Sequence, residues 1–277
     1  MPRHVARTGD GEANHQMIKI LTADCFQEIH RIADQTVDCV ITSPPYNIGL
    51  KYNQYRDRDT EYTNKISELF AGIQRVLKPN GHFFLNVSPT RSDPVFAYRL
   101  AQLVPMTIQN PIVWAKAVEM PGEGIRGRSV VTQNTDRYLC RGYEMVWHFT
   151  HKGKTPIDRH KSGVPYRAEW AEDNFKRTGR RTRPTTDCWH IPYETTGYMG
   201  KTSESVKGPK GHPAIFPREL VRHCLNITGL TEGTVLDPFA GTGTVATVCE
   251  ERGLDSVSIE IDKDYTDFIR DRLADDQ

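Results

Sequence analysis

Val37-Asp38-Cys39-Val40-Ile41-Thr42-Ser43-Pro44-Pro45-Tyr46 is the stretch from which the fold of the chain is read. Val37 to Ile41 is a short apolar run of the kind that forms a buried strand. The two prolines that follow end it, because neither has an N–H to give to a ladder and each fixes its own φ. Ser43 precedes a proline and is pushed to an extended backbone. The stretch is therefore a strand running into a stiff turn, and open α/β sheets place their ligands at the carboxyl ends of strands. The turn offers one hydroxyl, a carbonyl with no competing N–H, and an aromatic ring. Two acceptors and a ring face suit a flat heterocycle bearing an exocyclic amine. The same residues suit a surface turn or a polyproline ligand, so the motif alone leaves both readings open.

A second stretch weighs against the bland reading. Thr234-Val235-Leu236-Asp237 reads as a strand that enters Pro238-Phe239-Ala240-Gly241-Thr242-Gly243-Thr244 and then a helix from Val245 to Arg252. Glycines at a strand-to-helix turn let a ligand come close to the backbone. About twenty residues further on, Val257-Ser258-Ile259-Glu260 ends a strand in a carboxylate, the spacing at which an acidic residue meets ribose hydroxyls in nucleotide-binding sheets.

Taken together, the two stretches resemble the β class of DNA amino-methyltransferases, in which the catalytic loop precedes the cofactor loop. Ser43, Pro44, Pro45 and Tyr46 look like the catalytic loop, and Asp237 to Thr244 like the cofactor loop. The resemblance runs from Met17 onward. It implies a doubly wound, mixed but mostly parallel α/β sheet of Rossmann-like type with an inserted target-recognition region. It also implies S-adenosyl-L-methionine as cofactor, double-stranded DNA as partner, a flipped target base, and a cytoplasmic monomer or homodimer that can accompany a restriction endonuclease. Ser43 Oγ and the Pro44 carbonyl are expected to accept the amine protons, with Tyr46 stacked on the base. Members with aspartate in place of Ser43 are mostly adenine-N6 enzymes and those with serine mostly cytosine-N4 enzymes, so N4 of cytosine is the expected target and N6 of adenine the alternative. Further cofactor contacts implied are Glu260 on the ribose, Asp24 near the adenine ring, and His212, Pro213 and Phe216 in Lys210–Pro217 beside the methionine moiety.

Asp24 is equally a cap for the helix that follows, and the two roles are compatible. An RNA methyltransferase, a nucleotide-dependent oxidoreductase and a silent DNA-binding module are the competing readings. The oxidoreductase is opposed by the lack of a full G-x-G-x-x-G on a first strand.

The 277 residues suffice for one large α/β domain with an insertion. Mean hydropathy of −0.58 indicates a globular chain, and no apolar run approaches the roughly 20 residues of a membrane span. No secretory h-region follows the basic N-terminal residues. The six cysteines are scattered, which suggests neither a zinc site nor a disulfide framework, and none is needed as a nucleophile. A net charge of +1 means that any nucleic-acid surface must be local.

Residues 1–16 read as a disordered arm, 17–117 as a catalytic half, 118–205 as the target-recognition insertion with a returning strand near 144–149, and 206–277 as a cofactor-binding half. Further strands are expected at Ile18–Leu21, His82–Val87 and Asn110–Trp114, and helices at Ser67–Leu77, Pro94–Leu103 and Arg218–Thr228. Lys78-Pro79-Asn80-Gly81 reads as a turn, and the polar run Lys51–Asn64 as a surface or closing loop. The insertion concentrates Arg126, Arg128, Lys176, Arg177, Arg180, Arg181 and Arg183 among aromatic residues, a pattern that suits phosphate contacts.

Overall fold

A computed structural model describes residues 16–47, 51–52, 55–56, 61–90, 93–126, 137, 139–192 and 217–275. Eight strands form its main sheet: β1 (Ile18–Thr22), β2 (Val37–Thr42), β3 (Leu77–Val87), β4 (Thr107–Ala115), β5 (Tyr143–Thr150), β6 (Cys188–His190), β7 (Thr234–Asp237) and β8 (Asp255–Glu260). Their spatial order is β1-β8-β7-β2-β3-β5-β4-β6. Every neighbouring pair is parallel except the two made by β5, which runs against β3 and β4.

The alternation along each strand explains the layers. Val40, Phe83 and Leu85 face one side, with helices α2 (Tyr62–Val76) and α3 (Phe96–Gln102). Cys39, Ile41 and Phe84 face the other, with α5 (Arg218–Thr228) and α6 (Thr244–Arg252), while α7 (Lys263–Asp275) covers the β1 edge. Central strands buried on both faces cannot alternate polar with apolar, which is why β2 reads as a near-continuous hydrophobic run. Each large side chain removed from water, Phe70, Phe83 and Phe84 among them, stabilises the fold by about 1.5–3 kcal/mol.

The structure corrects three expectations. Lys78–Gly81 is not a turn: β3 starts at Leu77, directly after α2, and absorbs the Pro-Asn-Gly segment through a register shift against β2. Lys78 there reaches both carboxylate oxygens of Asp38 at 2.8 Å. Tertiary pairing has overridden local turn chemistry. Gln16 belongs to the fold rather than to the arm, since its side-chain amide caps the carbonyls of Cys249 (3.0 Å) and Leu254 (2.8 Å).

The third correction concerns residues 118–205. β5 is the returning strand expected near 144–149, but β6 also lies within that range and belongs to the main sheet. Tyr143, the first residue of β5, pairs with Ala115, the last of β4, and the hairpin Val118–Met120/Gly124–Arg126 follows β4 at that carboxyl end. Residues 151–187 start from the opposite end of β5, and they contain a fourth helix, α4 (Ala168–Thr178), with no buried residue.

Candidate active site

The carboxyl ends of β2 and β7 are adjacent, because these strands pair in parallel, Val235 with Cys39 and Leu236 with Val40. The turn after β2 and the glycine loop after β7 therefore open at the same edge, although about two hundred residues separate them in the chain. One hydrogen bond joins them. Thr42 Oγ1, on the last residue of β2, donates to Asp237 Oδ1, on the last residue of β7, at 2.7 Å. The same oxygen accepts from Phe239 N at 3.1 Å. Asp237 is 1% exposed; burial pushes its carboxyl up to about 7, opposed by the Thr42 and Phe239 donors.

The proline-rich turn has no backbone donors of its own at positions 44 and 45, so other elements hold it. Tyr62, the first residue of α2, donates its hydroxyl to the Pro45 carbonyl at 2.6 Å. The Tyr46 hydroxyl accepts from Ser88 N at 3.1 Å, and its ring lies 5.8 Å from Phe96, tilted by 59°. Ser43 remains partly accessible while Pro44 is buried. Asn47 follows with φ of 53°, a left-handed conformation that asparagine tolerates better than most residues.

In the glycine loop, Gly241 and Gly243 have φ of 51° and 78°. A Cβ on Gly243 would stand 2.7 Å from Ile269 Cγ1, so glycine is needed there for close packing as well as for backbone freedom. Glu260, at the end of β8, accepts from Gly241 N (2.9 Å) through Oε2 and from Asp262 N (3.0 Å) through Oε1. Burial raises its carboxyl above the usual range. Each oxygen keeps a lone pair for a ligand hydroxyl. Asp24 caps the short helix α1 (Cys25–Glu28), accepting from Phe26 N at 2.9 Å, and Phe26 meets Phe239 edge to face at 6.1 Å. Ala23 N donates to Glu260 O at 2.9 Å, which closes β1 against β8. An apolar pair, two carboxylates and open glycine backbone at one sheet edge fit a nucleoside with an attached chain.

His212, Pro213, Phe216 and Arg128 lie outside the described residues, and Arg126 is placed only as the last residue of the hairpin Val118–Met120/Gly124–Arg126. Lys176, Arg177, Arg180, Arg181 and Arg183 gather on α4 and the adjoining two-residue pairing of Val164–Pro165 with Thr182–Arg183. Arg181 stacks on Phe175 at 4.4 Å, and Arg177 bonds Asn174 at 2.8 Å. The described members of the basic set are thus divided between the hairpin after β4 and the segment after β5. Sequence reasoning missed Thr42 and Tyr62. Thr42 stands beside the motif and carried a usable signal, a hydroxyl at the mouth of a strand. Tyr62 had none, because its pairing with the turn depends on where α2 begins.

The fold is that of the Rossmann-like DNA methyltransferases. A solved structure described as PvuII DNA methyltransferase (cytosine-N4-specific) matches with a TM-score of 0.66 at 16% identity, covering 92% of this chain and 85% of that one. An S-adenosyl-L-methionine complex of a putative DNA modification methylase from Thermus thermophilus matches at 0.57 and 19% identity, covering 94% and 95%. In sequence, the type II methyltransferase M.ScaI of Streptomyces caespitosus is 26% identical over 90% of this chain and 79% of its own length. M.SmaI of Serratia marcescens is 25% identical over 95% and 92%. The chain belongs to the N6_N4_Mtase family (DNA methylase), which matches residues 37–271. It is accordingly an S-adenosylmethionine-dependent DNA amino-methyltransferase that acts on cytosine N4 or adenine N6.

Proposed function

We propose that this methyltransferase modifies N4 of cytosine in double-stranded DNA, as the modification half of a type II restriction system. The observation that carries the choice of base is Ser43: a neutral hydroxyl heads the catalytic turn where the adenine members of the resemblance have an aspartate. The cytosine-N4 specificity in the description of the PvuII structure supports the same reading, and the type II names of the relatives support the restriction context.

The sulfonium of S-adenosylmethionine supplies an activated methyl group. The protein's task is then alignment, which can remove most of the barrier. Asp237, Phe239, Gly241 and Gly243 with Glu260 form the cofactor cradle, and Asp24 with Phe26 flanks it. Ser43 Oγ and the Pro44 carbonyl would accept hydrogen bonds from the two N–H groups of the base amine and draw its nitrogen toward tetrahedral geometry, freeing a lone pair otherwise delocalised into the ring. The methyl would pass from sulfonium to nitrogen, leaving a neutral thioether, and the one surplus proton would be released to solvent. Tyr46 offers its ring face to the base while Ser88 N fixes its hydroxyl. The amine is out of reach in a stacked duplex, so the base is flipped at a cost of about a few kcal/mol. The segment between β4 and β5, at the catalytic end of the sheet, is the DNA-contacting one; the basic residues around α4 join the sheet from its opposite end.

Digestion and nucleoside analysis of DNA from a host expressing the protein tests the base. N4-methylcytosine is expected, and N6-methyladenine in its place overturns the choice. Mapping the modified positions along the genome gives the recognition sequence in the same experiment.

A further inference from the structure

Among the described residues at the catalytic end of the sheet, two cations are neutralised by carboxylates. Lys116 pairs with Glu144 and lies over the Trp114 ring at 4.6 Å. Arg99 pairs with Asp93. Arg141, two residues before β5, differs from them. Its guanidinium donates through one terminal nitrogen to the Pro89 carbonyl, its Nε is buried without a partner, and no carboxylate among the described residues pairs with it. A carbonyl dipole does not neutralise a full charge, and a half-buried guanidinium keeps donors in a planar fork suited to an oxyanion.

Its position is set by the backbone on both sides. Gly142 O accepts from Lys116 N (2.7 Å) and Ala117 N (3.1 Å), and a Cβ on Gly142 would lie 2.9 Å from Ala117 O, so this segment approaches the end of β4 as closely as it can. Pro89 is the neighbour of Ser88, whose N–H holds the Tyr46 hydroxyl. The unpaired charge therefore sits one residue from the support of the ring assigned to the target base.

We propose that Arg141 binds a backbone phosphate of the DNA beside the flipped nucleotide. This rests on the DNA-methyltransferase reading above and adds a ligand contact at the same site. A phosphodiester supplies the anion that the protein withholds. Flipping swings the target nucleotide about its own backbone into the pocket, so the phosphates that flank it come to lie at the pocket mouth.

The test uses the full-length protein and duplex containing the mapped recognition sequence. Arg141→Gln is expected to weaken duplex binding about tenfold, equivalent to about 1.4 kcal/mol, and to reduce the slope of log K against log salt by about 0.9. S-adenosylmethionine affinity and melting temperature should stay at wild-type values. A methylphosphonate placed in turn at each phosphate flanking the target base should weaken wild-type binding at one position and have no further effect there in Arg141→Gln. Arg141→Lys, which keeps the charge and loses the fork, should fall between the two and serves the same comparison if the glutamine variant does not fold. An unchanged salt slope, or the same methylphosphonate penalty in wild type and variant, overturns the assignment and leaves Arg141 as a support for Pro89. A wild-type protein that neither binds nor methylates duplex DNA would instead bring down the functional reading, and this inference with it.

Discussion

At the residue scale, one buried oxygen joins the two halves of the site. Asp237 Oδ1 receives the Thr42 hydroxyl and the Phe239 amide together. Thr42→Val keeps the shape and removes a donor from a buried carboxylate, which costs about 1–3 kcal/mol. Denaturant unfolding at pH 8 should show that loss, and Thr42→Ser should restore most of it; equal losses in both variants would point to packing rather than the bond. Asp237 also makes stability depend on pH. Its folded value of about 7 lies above the ordinary 3.8, so the protonated group stabilises the fold fully below about pH 4, and that contribution is lost as pH rises through about 7. A difference of this size is worth on the order of 4 kcal/mol. Asp237→Asn keeps the acceptor and removes the charge. Its melting temperature should therefore exceed that of wild type at pH 8 and converge with it near pH 4.

At the scale of elements, the catalytic turn is a strand end held by its neighbours. α2 contributes Tyr62, β3 contributes Ser88 through its following loop, and α3 contributes Phe96. The polar run before α2 reads as loop, yet the helix begins within it at Tyr62, because that side chain packs inward and finds the Pro45 carbonyl. Removing the hydroxyl in Tyr62→Phe leaves the packing in place. Single-turnover methyl transfer should slow about threefold to tenfold, the worth of one neutral hydrogen bond, with S-adenosylmethionine affinity unchanged. A change in cofactor affinity instead would show that Tyr62 acts through the glycine loop.

At the scale of the whole molecule, the sheet carries a polar pair deep in its interior. His82 Nδ1 and His148 Nε2 are 3.0 Å apart, and Asn110 Nδ2 lies 2.9 Å from His148 Nδ1. With the asparagine as donor, His148 carries its proton on Nε2 and donates to His82, so both rings are neutral. Burial lowers His82 to about 4 and His148 to about 3 from the ordinary 6.5, with His82 adding to the effect on His148. The neutral pair's contribution is complete above about pH 6.5 and is lost as pH falls through those two values. This opposes the Asp237 trend. The double variant His82→Gln, His148→Gln should lose less stability than wild type between pH 6.5 and 4 in thermal melts, and an identical acid profile would exclude the pair as its source. The sequence by itself determined the local parts. Apolar runs marked β2, β7 and β8, prolines marked the end of β2, and glycines marked the turn into α6, since each follows from what a residue's own backbone and side chain allow. Only the tertiary structure decided that Lys78–Gly81 continues a strand, that β5 reverses, that β6 extends the sheet from within a segment read as insertion, and that Thr42 meets Asp237. Those outcomes depend on which strand lies beside which, and pairing between distant segments is a property of the assembled sheet that no short window of sequence contains.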